Sequence, residues 1–217
     1  MNGCSYQAGG IVKKEQRKER EYHVRRSAIL SEAEKKFSAR GFHNVTVAEI
    51  ANAAGFSTGS LYQFFKSKEH LYTAMIIEKL AMMYEDIVKE VEAAANLIDK
   101  LDAFVGSQLR FIEEHADFCR IFLRGENELS PQTMMAMRER LREDYFRNLS
   151  FIESILKAGI KKDMLRNLPA HDMAAALSHM IRAASIDWML LSCSDSLVSK
   201  KDMILDIFLN GVKKHVH

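Results

Sequence analysis

Two prolines and ten glycines are few for a chain of 217 residues. A sheet protein needs turn residues at the end of nearly every strand, so this scarcity argues against strands and for long helices. There are three cysteines, Cys4, Cys119 and Cys193. An odd, widely spaced set makes no disulfide framework and has no zinc-ligand spacing. No apolar run is long enough to span a bilayer, and no N-terminal stretch resembles a signal peptide. No phosphate loop, nucleophile elbow or zinc signature occurs. These absences lead to the expectation of a cytoplasmic protein with no membrane partner, no catalytic residues, no metal and no cofactor.

What is present points to a globular helical protein. Hydrophobic residues make up 47% of the chain and charged residues 28%, ample for a buried core. The net charge is only +2, but it is unevenly spread. Residues 1–70 hold 12 Lys and Arg against 7 Asp and Glu; the remainder holds 19 against 22. A basic end on an acidic body suggests that the basic end meets a polyanion.

Along the chain, residues 1–20 lack apolar periodicity and are expected to form a flexible tail. From about residue 21 the pattern turns helical. Ala28, Ile29, Ala33 and Phe37 recur at helical spacing, and Gly41 supplies the stop. Thr46-Val47-Ala48-Glu49 reads as a capping box opening a second helix, which Gly55 ends. Ser57 caps a third helix to about residue 65, and Ser67 a fourth that runs past residue 83. Further helices are expected at 98–115, 116–123, 131–157, 171–191 and 200–214, the last capped by Ser199. Pro131 suits the first helical position after Ser130.

The segment from Val47 carries the chemistry. Ala51 sits where two helices must cross closely, and Gly55 where the chain must reverse with a left-handed backbone. Ile50 and Phe56 flank them as plugs of a small core. Small residue, turn glycine, two caps and flanking hydrophobics at these offsets describe a helix-turn-helix.

Gly41-Phe42, Thr46-Val47, Ile50-Ala51, Ala54-Gly55, Ser57, Gly59, Leu61-Tyr62, Phe65, Lys68 and Leu71 resemble the N-terminal signature of the tetracycline-repressor (TetR) family. The match covers about fifty residues; the rest resembles that family only in helix count, order and length. The resemblance implies an all-α fold of about nine helices. It divides as residues 21–67, a three-helix DNA-binding domain, and 68–217, a helical domain for effector binding and dimerisation. It implies contacts to double-stranded operator DNA from Thr46, Val47, Ser57, Thr58, Gly59, Ser60, Tyr62, Gln63, Phe64 and Lys68. Gly59 allows close backbone approach. Thr58, Ser60 and Gln63 reach base edges, glutamine pairing with adenine. Tyr62 bonds a phosphate. Thr46 and Lys68 sit at helix N-termini that attract phosphate. Phe64 stands where the family often has a polar or hydrogen-bonding aromatic residue, so a phosphate or base contact there is either missing or replaced by an apolar contact to a thymine methyl. The basic segment 13–26 adds backbone or minor-groove contacts or is a solvated face; the sequence leaves both open.

For the body, the resemblance implies a repressor that is released from its palindromic operator by an unknown small-molecule effector, apolar or amphipathic. Phe104, Phe111, Phe118, Phe122, Met134, Met137, Phe146, Met180 and Trp188 are its candidate lining, with His179, Arg182 and Asp187 as polar handles. It also implies a homodimer through the last two helices, with apolar faces at Leu177, Ile181, Ala184, Trp188, Leu191 and at Ile204, Ile207, Phe208, Gly211. Two other classes leave weaker traces. An enzyme would use His115 and Cys119, four apart, but no orienting acid or third ligand is placed beside them. His215 and His217 form a weak terminal metal pair. A co-regulator would dimerise and bind protein instead of DNA.

Overall fold

A computed structural model describes residues 6–124, 129–191 and 195–212. Among them the chain forms nine α-helices: α1 (Tyr6–Arg40), α2 (Val47–Ala53), α3 (Thr58–Leu61), α4 (Lys68–Ala93), α5 (Leu97–Glu114), α6 (Ala116–Arg124), α7 (Pro131–Lys161), α8 (Ala170–Leu190) and α9 (Lys201–Val212). A 3-10 turn, Val198–Lys200, precedes α9. No described residue is in a strand, and no described helix is long and apolar enough to cross a membrane. Cys4, Cys193, His215 and His217 lie outside the described residues.

Two compact units divide the chain, Met1–Met75 and Ile76–His217. The division falls inside α4, later than the boundary expected at residue 68. Tyr72, on the second turn of α4, is fully buried against Phe37 and Phe42, its ring centroid 5.3 and 5.1 Å from theirs. The first turns of α4 therefore belong to the first unit's core.

That core is built by α1, α2 and α3. Ile29, Ala33 and Phe37 face it at three- and four-residue spacing, with Ile50, Ala51, Leu61 and Phe65 from the helix-turn-helix. Ala51 is fully buried, as a close crossing requires. Gly41 and Gly55 have φ of 76° and 78°, a backbone that any side chain would strain. A side chain at Gly55 would meet nothing within 4 Å, so conformation, not space, dictates glycine there. Phe56 is only half-buried.

Two expectations for this unit need correction. The chain is helical from Tyr6, not from about residue 21. Residues 15–25 are all exposed, but Lys, Arg, Glu and Gln are strong helix formers, and Arg17 pairs with Glu21 one turn on, at 3.2 Å. Periodicity misses a helix held by propensity alone. The third helix is also shorter than expected, Thr58–Leu61 with turns to Phe64.

The second unit holds the larger core. Phe104, Leu101, Ile152, Leu156, Leu177, Ile181, Ile204 and Phe208 meet there, contributed by α5, α7, α8 and α9. The start of α9 is not capped by Ser199, whose hydroxyl donates to the Ser196 carbonyl. Instead Glu113 of α5 accepts from the Val198 amide at 2.9 Å and from Ser196 Oγ. Lys201 adds an ion pair to Asp102 of α5 at 2.6 Å. The cap comes from 85 residues away in sequence, beyond the reach of a local pattern.

Candidate nucleic-acid interface

Local hydrogen bonding shapes the reading segment. Thr46 accepts from the Glu49 amide at 3.2 Å, and Glu49 accepts from the Thr46 amide at 2.7 Å, so the capping box is complete. Thr46 Oγ1 also donates to Glu49 Oε2 at 2.8 Å. Arg40, at the end of α1, donates to Glu49 Oε1 at 2.7 Å and to the Asn44 carbonyl. Arg40 was not foreseen; its partner is nine residues away across a turn. The Arg40 guanidinium, then the Thr46 amide and hydroxyl, hold the Glu49 carboxyl down at about 2, against an ordinary 4.5.

A depressed carboxylate contributes stability that is present above its unfolded value and lost as pH falls through its folded value. The Glu49 contribution should therefore disappear between about pH 4.5 and 2. Melting of wild type and Glu49→Gln between pH 7 and 2 checks this. The gap in Tm should be widest at neutral pH and close at the acid end; a constant gap would show that the charge is immaterial.

Ser57 caps α3 by accepting from the Ser60 amide at 3.1 Å, and the two hydroxyls share a hydrogen bond of 2.8 Å. Ser67 caps α4 by accepting from the His70 amide at 3.0 Å, while His70 Nδ1 accepts from the Lys66 amide. Thr46 is thus occupied by Glu49, and Ser57 and Ser60 by each other. Thr58, Tyr62 and Gln63 are exposed, and no side-chain hydrogen bond engages them among the described residues. A side chain at Gly59 would touch only Ser57 Oγ, at 4.0 Å, so nothing within the chain bars backbone approach there. Val47 is half-buried. Lys68 places its ammonium 4.3 Å above the Phe42 ring, at the first position of α4.

Phe64 packs against neighbouring rings of the same unit. Its ring is half-buried, 4.9 Å from Tyr22 of α1 and 6.5 Å from both Phe56 and Phe65. Sequence reasoning passed over Tyr22 because its surroundings are charged. The available signal was its phase: Tyr22 is seven residues before Ile29 and eleven before Ala33, on the core face of α1.

Residues 29–75 match the family described as "Bacterial regulatory proteins, tetR family", and residues 94–212 match "Tetracyclin repressor-like, C-terminal domain". The chain belongs to the TetR family. Its helix-turn-helix is that family's DNA-binding element, and the protein is a transcriptional regulator of the TetR type. Among curated TetR-like relatives, the fatty acid metabolism regulator protein of Bacillus subtilis is 21% identical over 189 residues, 85% of this chain and 93% of that protein. The transcriptional repressor KstR2 of Mycobacterium tuberculosis is 34% identical over 94 residues, 42% of this chain and 46% of that protein. The solved structure of FadR from Bacillus subtilis in complex with stearoyl-CoA superposes with a TM-score of 0.74 at 19% identity, covering 88% of this chain and 99% of that one. At such identity the superposition establishes the shared fold.

In the TetR-type body the candidate effector residues separate into three groups. Phe111, Phe118 and Phe122 of α5 and α6 come together: Phe118 lies 6.4 Å from each of the others, and His115 packs 4.5 Å from Phe111. Met134 and Met137 of α7 are buried, and with Phe111 and Phe118 lie outside the main core. Phe104 and Trp188 belong to that main core. Phe146, His179 and Arg182 are exposed and join neither. A cavity of about 350 Å³ opens elsewhere, between Asn96, Leu97 and Lys100 and the end of α7 at Ser154, Ile155 and Gly159; sequence reasoning named none of its residues.

Proposed function

We propose that this TetR-family protein is a repressor that binds a palindromic operator as a homodimer and lets go when an amphipathic effector with a long apolar chain binds its body. The observation that carries the DNA part is the division of labour in residues 57–65. Caps and core hold α3, and Thr58, Tyr62 and Gln63 stand clear of both. Those are the residue types that bond base edges and phosphates in a major groove.

Dimerisation is supported by the surface of α8 and α9, where Ile186, Leu190, Leu191, Met203 and Ile207 are exposed. Of the faces expected to meet a partner, Leu191 and Ile207 belong to this surface and five other residues do not. Leu177, Ile181, Trp188, Ile204 and Phe208 are buried within the protomer. Helix α8 is apolar on two sides, and periodicity alone does not say which side is inner. A two-fold pair would place two reading heads about 34 Å apart, one on each half-site.

The effector reading draws on the Bacillus subtilis FadR complex with stearoyl-CoA. It also draws on the aromatic cluster of Phe111, Phe118 and Phe122 and on the buried Met134 and Met137, residue types that adapt to a varied apolar ligand. Helix α4 links the two functions, since its first turns belong to the reading unit and its remainder to the body. A ligand releases DNA only by favouring a conformation that holds the reading heads badly.

The test uses a duplex selected from a random pool by the protein itself. Calorimetric titration of stearoyl-CoA with and without that duplex should differ in affinity by about 5–150-fold, and stearoyl-CoA should weaken the duplex by the same factor. Free stearate and free coenzyme A serve as the partial ligands. Equal affinities in both titrations would eliminate ligand-driven release, even for a tight ligand.

A further inference from the structure

From Glu15 to Arg25 every residue of α1 is exposed. The core face of that helix starts at Ile29, so the first unit's packing does not account for the preceding turns. They are nonetheless fastened at one place. Tyr22 stacks on Phe64 at 4.9 Å, and one turn on, the Arg26 guanidinium lies 4.9 Å above Phe65. Phe64 directly follows Gln63, so the helix is tied to the end of the segment that faces DNA.

Lys18, Tyr22 and Arg25 follow at i, i+4 and i+7 and share one face, in phase with Ile29. Lys18 and Arg25 have no carboxylate partner among the described residues. By contrast, Arg17, about 100° round the helix from Lys18, is paired with Glu21. Glu15, seven residues before Tyr22, lies near the same face, and Glu19 lies to its side. Two unpaired cations therefore bracket the aromatic contact that anchors the helix. They are about 10 Å apart along it, on the scale of a major groove about 12 Å wide whose rims are phosphates.

We propose that Tyr22 and Phe64 hold the N-terminal half of α1 beside the reading segment so that Lys18 and Arg25 bind the phosphate backbone of double-stranded DNA at the edge of each half-site. Lys18 and Arg25 are the contacts; Tyr22 is a positioning residue. The inference rests on the DNA-binding reading of the helix-turn-helix and adds a second, sequence-independent surface to it.

The experiment measures operator affinity against salt for the full-length protein, by fluorescence anisotropy on the duplex that wild type selects from a random pool. Losing two phosphate contacts should flatten the slope of log K against log salt by about 1.8 per protomer in Lys18→Ala/Arg25→Ala. Tyr22→Ala should flatten it similarly with unchanged base preference, and Tyr22→Phe, which keeps the ring, should restore it. Arg20→Ala, on the opposite face, should keep the wild-type slope. Gln63→Ala should change base preference and leave the slope alone. Circular dichroism confirms that each variant is folded. A wild-type slope in Lys18→Ala/Arg25→Ala overturns the proposal while leaving the reading head intact. A wild type that binds no duplex at any salt overturns the DNA reading itself.

Discussion

Leu190→Asp combined with Ile207→Asp should yield a folded monomer with operator affinity lower by about 10²- to 10⁴-fold. Both side chains are exposed in the protomer, Leu190 at 76% and Ile207 at 57%, so a carboxylate at either position stays in water and costs the isolated chain little. In a pair formed through α8 and α9 the same carboxylate would lie unpaired in an apolar contact, which is strongly unfavourable. Ile186 and Leu190, four residues apart, and Met203 and Ile207, likewise four apart, give each helix a continuous apolar stripe. A monomer reads one half-site alone and loses the gain of a tethered second site, typically two to four orders of magnitude. Light scattering gives the mass and anisotropy the affinity. A variant that remains dimeric at micromolar concentration would move the interface away from these helices.

The second large effect belongs to Trp188, and it is a stability effect. Trp188 is 6% exposed, packed in the main core, and its indole Nε1 donates to the Asp195 carbonyl. Trp188→Ala removes the largest side chain from that region and leaves a cavity. Such truncations cost about 3–5 kcal/mol, a large share of a typical total of about 5–15 kcal/mol. For a protein of this size each kcal/mol moves the transition by about 2–4 °C, so the melt of the body should fall by about 6–20 °C. Differential scanning calorimetry measures it. A change of a degree or two would mean that the indole contributes little to the core, whatever its burial.

The contrast between these residues explains what the sequence conveyed and what it withheld. The helix-turn-helix was legible because its signals are local. Thr46 with Glu49, Ser57 with Ser60, and Ser67 with His70 each act over three residues, and Gly41 and Gly55 act on their own φ. Leu61 and Phe65, both part of the family signature, are fully buried. Partners brought together by the fold left no such trace. Glu113 at the start of α9, Arg40 on Glu49, and Tyr22 on Phe64 became visible only in three dimensions. Helix α8 posed a different problem, since residues such as Leu177 and Ile181 inside and Ile186 and Leu190 outside are chemically alike. The effector lining suffered from the same degeneracy: aromatic and methionine residues serve core and pocket equally well.

The division of labour around α3 has an evolutionary corollary. A helix of four residues does not hold its shape by itself; Ser57, Leu61 and Phe65 hold it through a cap and buried contacts. Thr58, Tyr62 and Gln63 take no part in that support. Under the proposed DNA reading, substitutions at these three positions would be nearly neutral for folding while altering what the protein recognises. Duplicated copies of such a gene can drift to new operators through these positions without first passing through an unstable intermediate, whereas drift at Ser57, Leu61 or Phe65 is checked by the fold before recognition is ever tested.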